Sequence, residues 1–421
     1  MSTHENRLSR RALLGSVGGG VAALGVVGAA TARGGDNSST ASGPLRYPFQ
    51  GAHQAGIVTP AQDRLHFVAF DITTESRDDL VSLLMRWTSA AARMTQGQDA
   101  TPAGALGGSP MLPPEDTGEA LELEASGLTI TFGFGPGLFR DATGKDRFGL
   151  AARQPEALQP LPHFPGDMLK PELTGGDLCI QACANNPQVA VHAVRNLVRI
   201  GMGTVAVRWS QLGFGRTSTT STAQSTPRNL FGFKDGTANL KAEEKAATRE
   251  HLWVGAGDDP RADWLAGGSY LVARRMSMVI ETWDRQSLYD QEQIIGRTKG
   301  SGAPLSGGGE FTDFDFQAGG ATPTIPVDSH VRVVHPDFHS GARMLRRGYN
   351  FVDGSTDLGH LNAGLFFIAY VRDPRTGFIP IQTAMSKNDA MMEYLKVNGS
   401  ALFAVPPGVG PGQFVGHTLF S

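Results

Sequence analysis

A single acidic residue lies between two glycines near the middle of the chain. Residues 229–239 read NLFGFKDGTAN, so Asp235 follows Gly232 by three positions and directly precedes Gly236. A carboxylate held in a loop can act as a general acid or base. The flanking glycines would let the backbone pass close to a bound group. Because an Asp before a Gly is more commonly a turn residue, the segment alone leaves both interpretations open.

Several familiar catalytic motifs are missing from the sequence. It contains no G-x-S-x-G nucleophile elbow, no H-E-x-x-H metal motif and no G-x-x-x-x-G-K-[ST] phosphate loop. Cys179 and Cys183 are predicted four residues apart on one strand, roughly 13 Å from each other, which is too far for a disulfide. No C-x-x-C-H motif is present, which argues against covalent attachment of haem.

Glycine dominates the composition, with 54 residues among 421. The lack of a strict G-X-Y period excludes collagen, and a hydrophobic content of 40% excludes a disordered polymer. A net charge of -3 disfavours nucleic-acid wrapping, and two cysteines cannot form a disulfide-rich scaffold. The length predicts two domains of ordinary size.

The N-terminus is typical of a twin-arginine signal peptide. Arg10 and Arg11 precede an apolar, Gly- and Ala-rich stretch that ends at Ala30-Thr31-Ala32, an A-x-A cleavage pattern. We therefore expect residues 1–32 to direct export through the twin-arginine machinery to an extracellular, periplasmic or cell-envelope location. Residues 33–50 would form a flexible leader. A retained membrane anchor is the alternative, because the apolar run is long enough to span a bilayer.

The first half of the mature chain shows alternating strand and helix patterns. We predict strands over 65–72, 127–134, 176–184 and 204–209, a helix over 76–94 and another that opens at Pro187. The order β-α-β-β-α-β is the ferredoxin-like arrangement.

The second half is less regular. Strands are predicted over 270–280, 365–371 and 401–405, helices over 284–295 and 388–397, and loops over 213–229 and 299–309. We therefore predict an α+β protein of two similar halves, with domains over 51–228 and 229–421.

The NLFGFKDGTAN segment resembles the signature of dye-decolorizing peroxidases, which are haem enzymes. Other motifs follow in the same order over nearly all of residues 50–421. They are GDL at 176–178, CANNPQV at 183–189, HAVRNL at 192–197, ETWDR at 281–285, IGR at 295–297, GAPL at 302–305, DSHVR at 328–332, MLRRGY at 344–349, GLFF at 364–367, NDA at 388–390 and GSALFAVPPG at 399–408. The resemblance implies two ferredoxin-like halves with antiparallel sheets and haem in the C-terminal half.

The implied activity is that of a haem peroxidase. It would use H2O2 to oxidise dyes, phenolics or other reducing substrates through a ferryl intermediate. The export signal points to the twin-arginine-exported subgroup, whose members have been proposed to remove iron from haem. The alternative function is therefore a haem-handling protein that releases iron (a deferrochelatase) or binds haem without turnover.

The resemblance also assigns roles to individual residues. His330 would be the proximal iron ligand, with Asp389 as the carboxylate that accepts its other ring N–H. Asp235 would be the distal acid–base group, and Arg346 would stabilise negative charge as the O–O bond breaks. Arg347 is the competing arginine, and the spacing before Tyr349 favours Arg346.

The remaining expectations concern the haem and its partners. Gly232 and Gly236 would lie near the haem face, and Leu365 and Phe367 would line the pocket from one face of a strand. The cofactor would be one non-covalent haem b per chain. No nucleic-acid partner is expected, and a homo-oligomer is possible. Electrons would reach the haem through a Tyr or Trp near the surface, and the sequence does not choose between Trp283 and Tyr349.

Overall fold

The computed structural model describes residues 45–421. The predicted signal peptide, its alternative as an anchor, and leader residues 33–44 lie outside the described residues. The strands are Arg64–Ile72 (β1), Thr129–Phe134 (β2), Leu178–Ala184 (β3), Val205–Arg216 (β4), Ser269–Met278 (β5), Leu345–Arg346 (β6), Tyr349–Ser355 (β7), Leu361–Val371 (β8) and Leu395–Val405 (β9). The helices are Arg77–Met94 (α1), Pro187–Gly201 (α2), Lys245–His251 (α3), Ile280–Trp283 (α4), Leu288–Ile295 (α5), His330–Val333 (α6), Pro374–Gly377 (α7), Ile379–Asn388 (α8) and His417–Phe420 (α9). Over residues 45–421 no helix has the length and apolar character needed to cross a membrane.

The first half forms a four-stranded antiparallel sheet in the order β2-β3-β1-β4, the ferredoxin-like order. Two long helices, α1 and α2, cover its outer face. They form because their first turns are capped, and they pack on the sheet because their apolar residues recur at helical spacing. The Ser76 side chain accepts a hydrogen bond from the Asp79 amide at the start of α1. At the start of α2, Asn186 caps the helix and Pro187 occupies its first turn.

The second half repeats this topology, with the order β9-β5-β8-β7. The predicted helix over 388–397 is wrong: the helix ends at Asn388, and β9 begins at Leu395. The physical reason is a stop at Asp389, whose backbone is extended and whose side chain caps the short 3-10 turn Ala390–Tyr394. The strand β7 and the helix α8 were not predicted.

The two sheets join at both edges. Phe134 of β2 pairs with Ala404 of β9, Phe214 of β4 pairs with Asn350 of β7, and the β5–β8 pairing closes a ring of eight strands. Aromatic side chains, among them Phe67, fill the interior of the ring. The α+β fold class is therefore confirmed, and all the strands of the described residues belong to one continuous sheet. The predicted boundary between residues 228 and 229 falls in the loop between β4 and α3.

Candidate functional site

Asp235 and Arg346 form an ion pair on the outer side of the C-terminal half. Arg346 Nη1 donates to Asp235 Oδ1 at 2.7 Å, and the two side chains are 27% and 15% exposed. Within the part of the chain that the structure describes, the other carboxylate oxygen, Oδ2, accepts a single long hydrogen bond of 3.3 Å from Asn229 Nδ2. The structure thus brings together two predicted site residues that are 111 positions apart.

Asn239 holds the backbone of Arg346 in place. Its Oδ1 accepts from the Arg346 amide at 2.7 Å, and its Nδ2 donates to the Arg346 carbonyl at 2.8 Å. Asn239 is buried, so these bonds are shielded from water. Asn239 ends the NLFGFKDGTAN segment, and its position there was the only sequence signal for this role.

The neighbouring arginine points the other way. Arg347 is fully buried in the ring interior and donates to the Thr59 carbonyl and to Gln62 Oε1. Successive strand residues face opposite sides of a sheet, so only one of two consecutive arginines can reach the outer site. That residue is Arg346.

The two loop glycines meet protein atoms at the positions where a side chain would begin. Gly236 has φ +92°, and a Cβ there would lie 2.7 Å from the Ser218 Cα. Gly232 has φ +83°, and its Cβ would lie 2.8 Å from the Lys299 Cε. Both positions require glycine for the path of the chain and its packing, because other residues rarely adopt a positive φ.

His330 is the first residue of α6 and contacts Asp389. Its Nδ1 lies 2.7 Å from Asp389 Oδ2, and the side chains are 24% and 0% exposed. Because a carboxylate accepts, Nδ1 carries a proton, and Nε2 is the ring nitrogen that a neutral imidazole would offer to a metal. Asp389 Oδ1 also accepts from the Met391 amide at 2.9 Å, so one carboxylate both starts the 3-10 turn and orients the imidazole.

Leu365 and Phe367 lie half-buried on the outer face of β8, whereas Phe366 and Ile368 are fully buried inside the ring. Leu365 packs against a cluster that includes Phe231 and Phe233 from the Asp235 loop, Met391 beside Asp389, and Val334 after α6. The neighbourhoods of Asp235 and of His330 therefore meet in one apolar cluster.

Two cations near Arg346 had no role in the sequence prediction. Burial lowers the pKa of Arg297 to about 10, helped by the charge of Arg346, and its guanidinium lies 4.5 Å from the Phe314 ring centre. Burial, again with Arg346, lowers the pKa of Lys241 to about 8. Arg297 belongs to the IGR motif, which was its only signal. Lys241, two residues after the NLFGFKDGTAN segment, had none.

Neither predicted relay residue lies near the surface. Trp283 is fully buried and stacks on Phe231 with ring centres 4.3 Å apart. Tyr349 is fully buried in the ring interior. The expectation of a surface position for either residue is wrong, because both pack into apolar clusters.

The residues present fit a haem group. His330 offers an unshared ring nitrogen, and Leu365 and Phe367 offer an incompletely covered apolar face. The Gln382 side-chain nitrogen is buried without a hydrogen-bond partner among the described residues. It lies on the same face of α8 as Met385, which belongs to the apolar cluster that Leu365 packs against. A surface cavity of about 550 Å³ beside Tyr270 contains none of the predicted site residues.

Comparisons with known proteins identify the family. The family model described as Dyp-type peroxidase, N-terminal, matches residues 54–215, and the model described as Dyp-type peroxidase, C-terminal, matches residues 226–410. A protein named deferrochelatase from Escherichia coli strain K12 is 36% identical, covering 96% of this chain and 95% of that protein. A deferrochelatase from Yersinia pestis is also 36% identical, covering 95% and 92%.

Solved structures show the same likeness. Ferric DtpA from Streptomyces lividans is 37% identical with a TM-score of 0.80, covering 90% of this chain and 98% of that one. A DyP-type peroxidase from Cellulomonas bogoriensis is 36% identical with a TM-score of 0.79, covering 90% and 99%. Both family models, the full-length relatives and the shared fold lead to one conclusion: the chain belongs to the Dyp-type peroxidase family and is a haem peroxidase.

Proposed function

We propose that this protein binds one haem b per chain without a covalent bond, and that His330 would hold the iron. The observation that carries the proposal is the 2.7 Å contact between His330 Nδ1 and the buried Asp389 carboxylate, which leaves Nε2 for the metal. Cys179 and Cys183 are buried inside the ring, away from the outer face, which supports a non-covalent cofactor.

Haem held by His330 would supply redox chemistry between H2O2 and reducing substrates such as dyes or phenolics. Asp235 would take a proton from one peroxide oxygen and return it to the other, because its Oδ2 accepts one long hydrogen bond from the described residues and no other. Arg346 stabilises the negative charge that develops as the O–O bond breaks, and Asn239 fixes its backbone. Arg297, a buried cation close enough to Arg346 for the two charges to interact, would bind an anionic edge of the cofactor.

Replacement of the ligand tests the proposal. In His330→Ala we expect haem binding to weaken strongly and peroxidase activity to disappear, as measured by the Soret absorption band and by turnover with H2O2. His339→Gln is the matched control, because His339 Nε2 bonds the Val333 carbonyl and glutamine keeps a donor there. Full haem loading with wild-type turnover in His330→Ala would overturn the ligand assignment.

Release of iron from haem is the second candidate function. It is supported by the full-length relatives named deferrochelatase. Both functions need His330, but only the peroxidase needs Asp235 and Arg346 for turnover. After incubation of the haem-loaded protein, metal-free porphyrin would favour iron release, and oxidised dye with intact haem would favour the peroxidase.

Export by the twin-arginine route is proposed from the sequence of residues 1–32, and fractionation of cells and medium tests it.

A further inference from the structure

Two reactive side chains touch inside the ring, away from the haem-facing residues. Tyr349 Oη donates to Cys183 Sγ at 3.5 Å, and both residues are fully buried. They lie on different strands, β7 and β3, whose side chains meet in the interior. The proposed peroxidase mechanism uses neither of them.

Arg347 is the third member of this cluster. Its guanidinium contacts Cys183, and its charge lowers the pKa of the Tyr349 phenol, although burial raises that pKa by more. No ion pair within residues 45–421 includes Arg347, and its buried Nε has no hydrogen-bond partner. A buried cation without a carboxylate favours loss of a proton from the groups around it.

The cluster is close to the outer site. Tyr349 follows Arg346 by three residues and pairs across the sheet with Phe366 of β8. The Leu365 Cδ1 lies 3.1 Å from the point where a Cβ of Gly348 would stand. A single layer of sheet therefore separates Tyr349 from the outer face, so an electron can leave it although peroxide cannot reach it.

We propose that Tyr349 and Cys183 become joined by a thioether bond when the enzyme meets peroxide without a reducing substrate. The bond joins Sγ to the ring carbon next to the one that bears the phenol oxygen. That carbon and the oxygen are attached to the same ring atom, so sulfur in contact with the oxygen is also near the carbon. The proposal rests on the proposed function, which supplies the oxidant.

The reaction balances with one H2O2. One S–H bond and one ring C–H bond break, and one C–S bond forms, so the pair loses two electrons and two protons. H2O2 takes up both electrons and both protons and gives two waters. Burial favours this outcome over the usual stepwise oxidation of a thiol to oxygenated acids, because no water or oxidant reaches the sulfur.

Cys179 provides a matched comparison within the same strand. It lies on the same face of β3, is equally buried and is a free thiol. Within the described residues no tyrosine hydroxyl bonds to Cys179, and the neighbouring Tyr370 hydroxyl donates instead to Gln181 Oε1 at 3.0 Å. We therefore expect Cys179 to keep its thiol.

The experiment treats the haem-loaded protein with H2O2 in the absence of a reductant. We expect the intact mass to fall by two hydrogen atoms, and the thiols counted after denaturation to fall from two to one. Peptide mapping should find the Cys183 peptide joined to the Tyr349 peptide. Cys183→Ser and Tyr349→Phe should abolish the loss of mass, whereas Cys179→Ser should retain it.

Peroxide consumption is measured in the same samples, so that the two proposals can fail separately. Consumption of peroxide with unchanged mass and two remaining thiols would overturn the cross-link and leave the proposed function standing. Oxygen added to Cys183 would also overturn it. If no peroxide is consumed and the haem spectrum does not respond, the proposed function fails and the cross-link fails with it. The wild-type thiol count decides these outcomes even if a variant does not fold.

Discussion

Two arginine–aspartate pairs in this protein use the same chemistry for different ends. Arg274 Nη1 donates to Asp167 Oδ2 at 3.2 Å and to Ser400 Oγ at 3.1 Å, Nη2 binds Asp167 Oδ1, and the two charged side chains are 0% and 2% exposed. The pair ties the segment before β3 to β5, so it joins the two halves. Arg346 and Asp235 share a single hydrogen bond and stay partly open to solvent.

The difference shows what makes a charged pair functional. In the Arg274–Asp167 pair, both Nη atoms of Arg274 donate to protein partners, and Arg274 also lies 5.0 Å from the Phe164 ring centre. Its Nε has no hydrogen-bond partner among the described residues, but it is buried and closed to solvent. In the Arg346–Asp235 pair, Arg346 Nη2 and Nε bond to no described residue, and Asp235 Oδ2 has one long contact with a described residue. Of these two pairs, only the second has donors and an acceptor that stay partly open to solvent and can bind a third group.

The largest effect on stability is expected at the buried Arg274–Asp167 pair. Asp167→Asn leaves Arg274 as an unpaired buried cation, so the free energy of unfolding should fall by about 3–5 kcal/mol. Urea unfolding measures this loss, and the peroxide reaction per bound haem should stay at the wild-type rate. The double variant Asp167→Asn/Arg274→Met removes both charges and should recover much of the stability. A loss below about 1 kcal/mol in the single variant would show that this pair does not hold the halves together.

At the Arg346–Asp235 pair we expect a large effect on the reaction rate and a small effect on stability. Arg346→Leu removes the cation that stabilises the developing negative charge, so the reaction with H2O2 should slow by about 10²–10³-fold while haem binding is retained. Its free energy of unfolding should change by no more than about 1 kcal/mol, because the pair is partly open to solvent and shares a single hydrogen bond. Stopped-flow absorption gives the rate. Arg343→Leu removes a nearby arginine that pairs with Glu244, and it should react normally. A wild-type rate in Arg346→Leu would show that Arg346 does not stabilise the developing charge, and the two pairs would then not differ in function.

Asp235→Asn should have a smaller effect. Asparagine cannot accept the peroxide proton, but Arg346 and water can partly compensate, so we expect a loss of about tenfold, or 1.4 kcal/mol in the barrier. The loss should vary with the reducing substrate. Asp258→Asn is the control, because Asp258 is paired with Arg372 outside the site. A wild-type rate of reaction with H2O2 in Asp235→Asn would argue against proton transfer by this carboxylate.

Sequence patterns predicted the first half of the fold better than the second. The N-terminal helices are long, capped by Ser76 and Asn186, and strongly amphipathic, so local spacing was sufficient. In the C-terminal half the helices are short, and residues 388–397 combine a helix end, a 3-10 turn and a strand start. Tertiary packing decides such short elements, because their local preferences are weak.

The candidate site, like the fold, was only partly predictable from the sequence. Motif resemblance selected Asp235, His330 and Arg346 from residue types and order alone. It could not show that Asp389 would lie 2.7 Å from His330, since 59 residues separate them. The motif includes Asn239, but it could not show that Asn239 binds both backbone groups of Arg346, because such bonds depend on where a loop meets a strand.

By itself, the sequence determined the family, the α+β class, the haem-type chemistry and the candidate residues for it, because these depend on residue identity and local periodicity. The tertiary structure alone decided which Arg–Asp pair is buried and which is partly open to solvent, and that Tyr349 meets Cys183 inside the ring. These are consequences of long-range strand pairing and burial, which place residues far apart in the chain on one side of a sheet or the other.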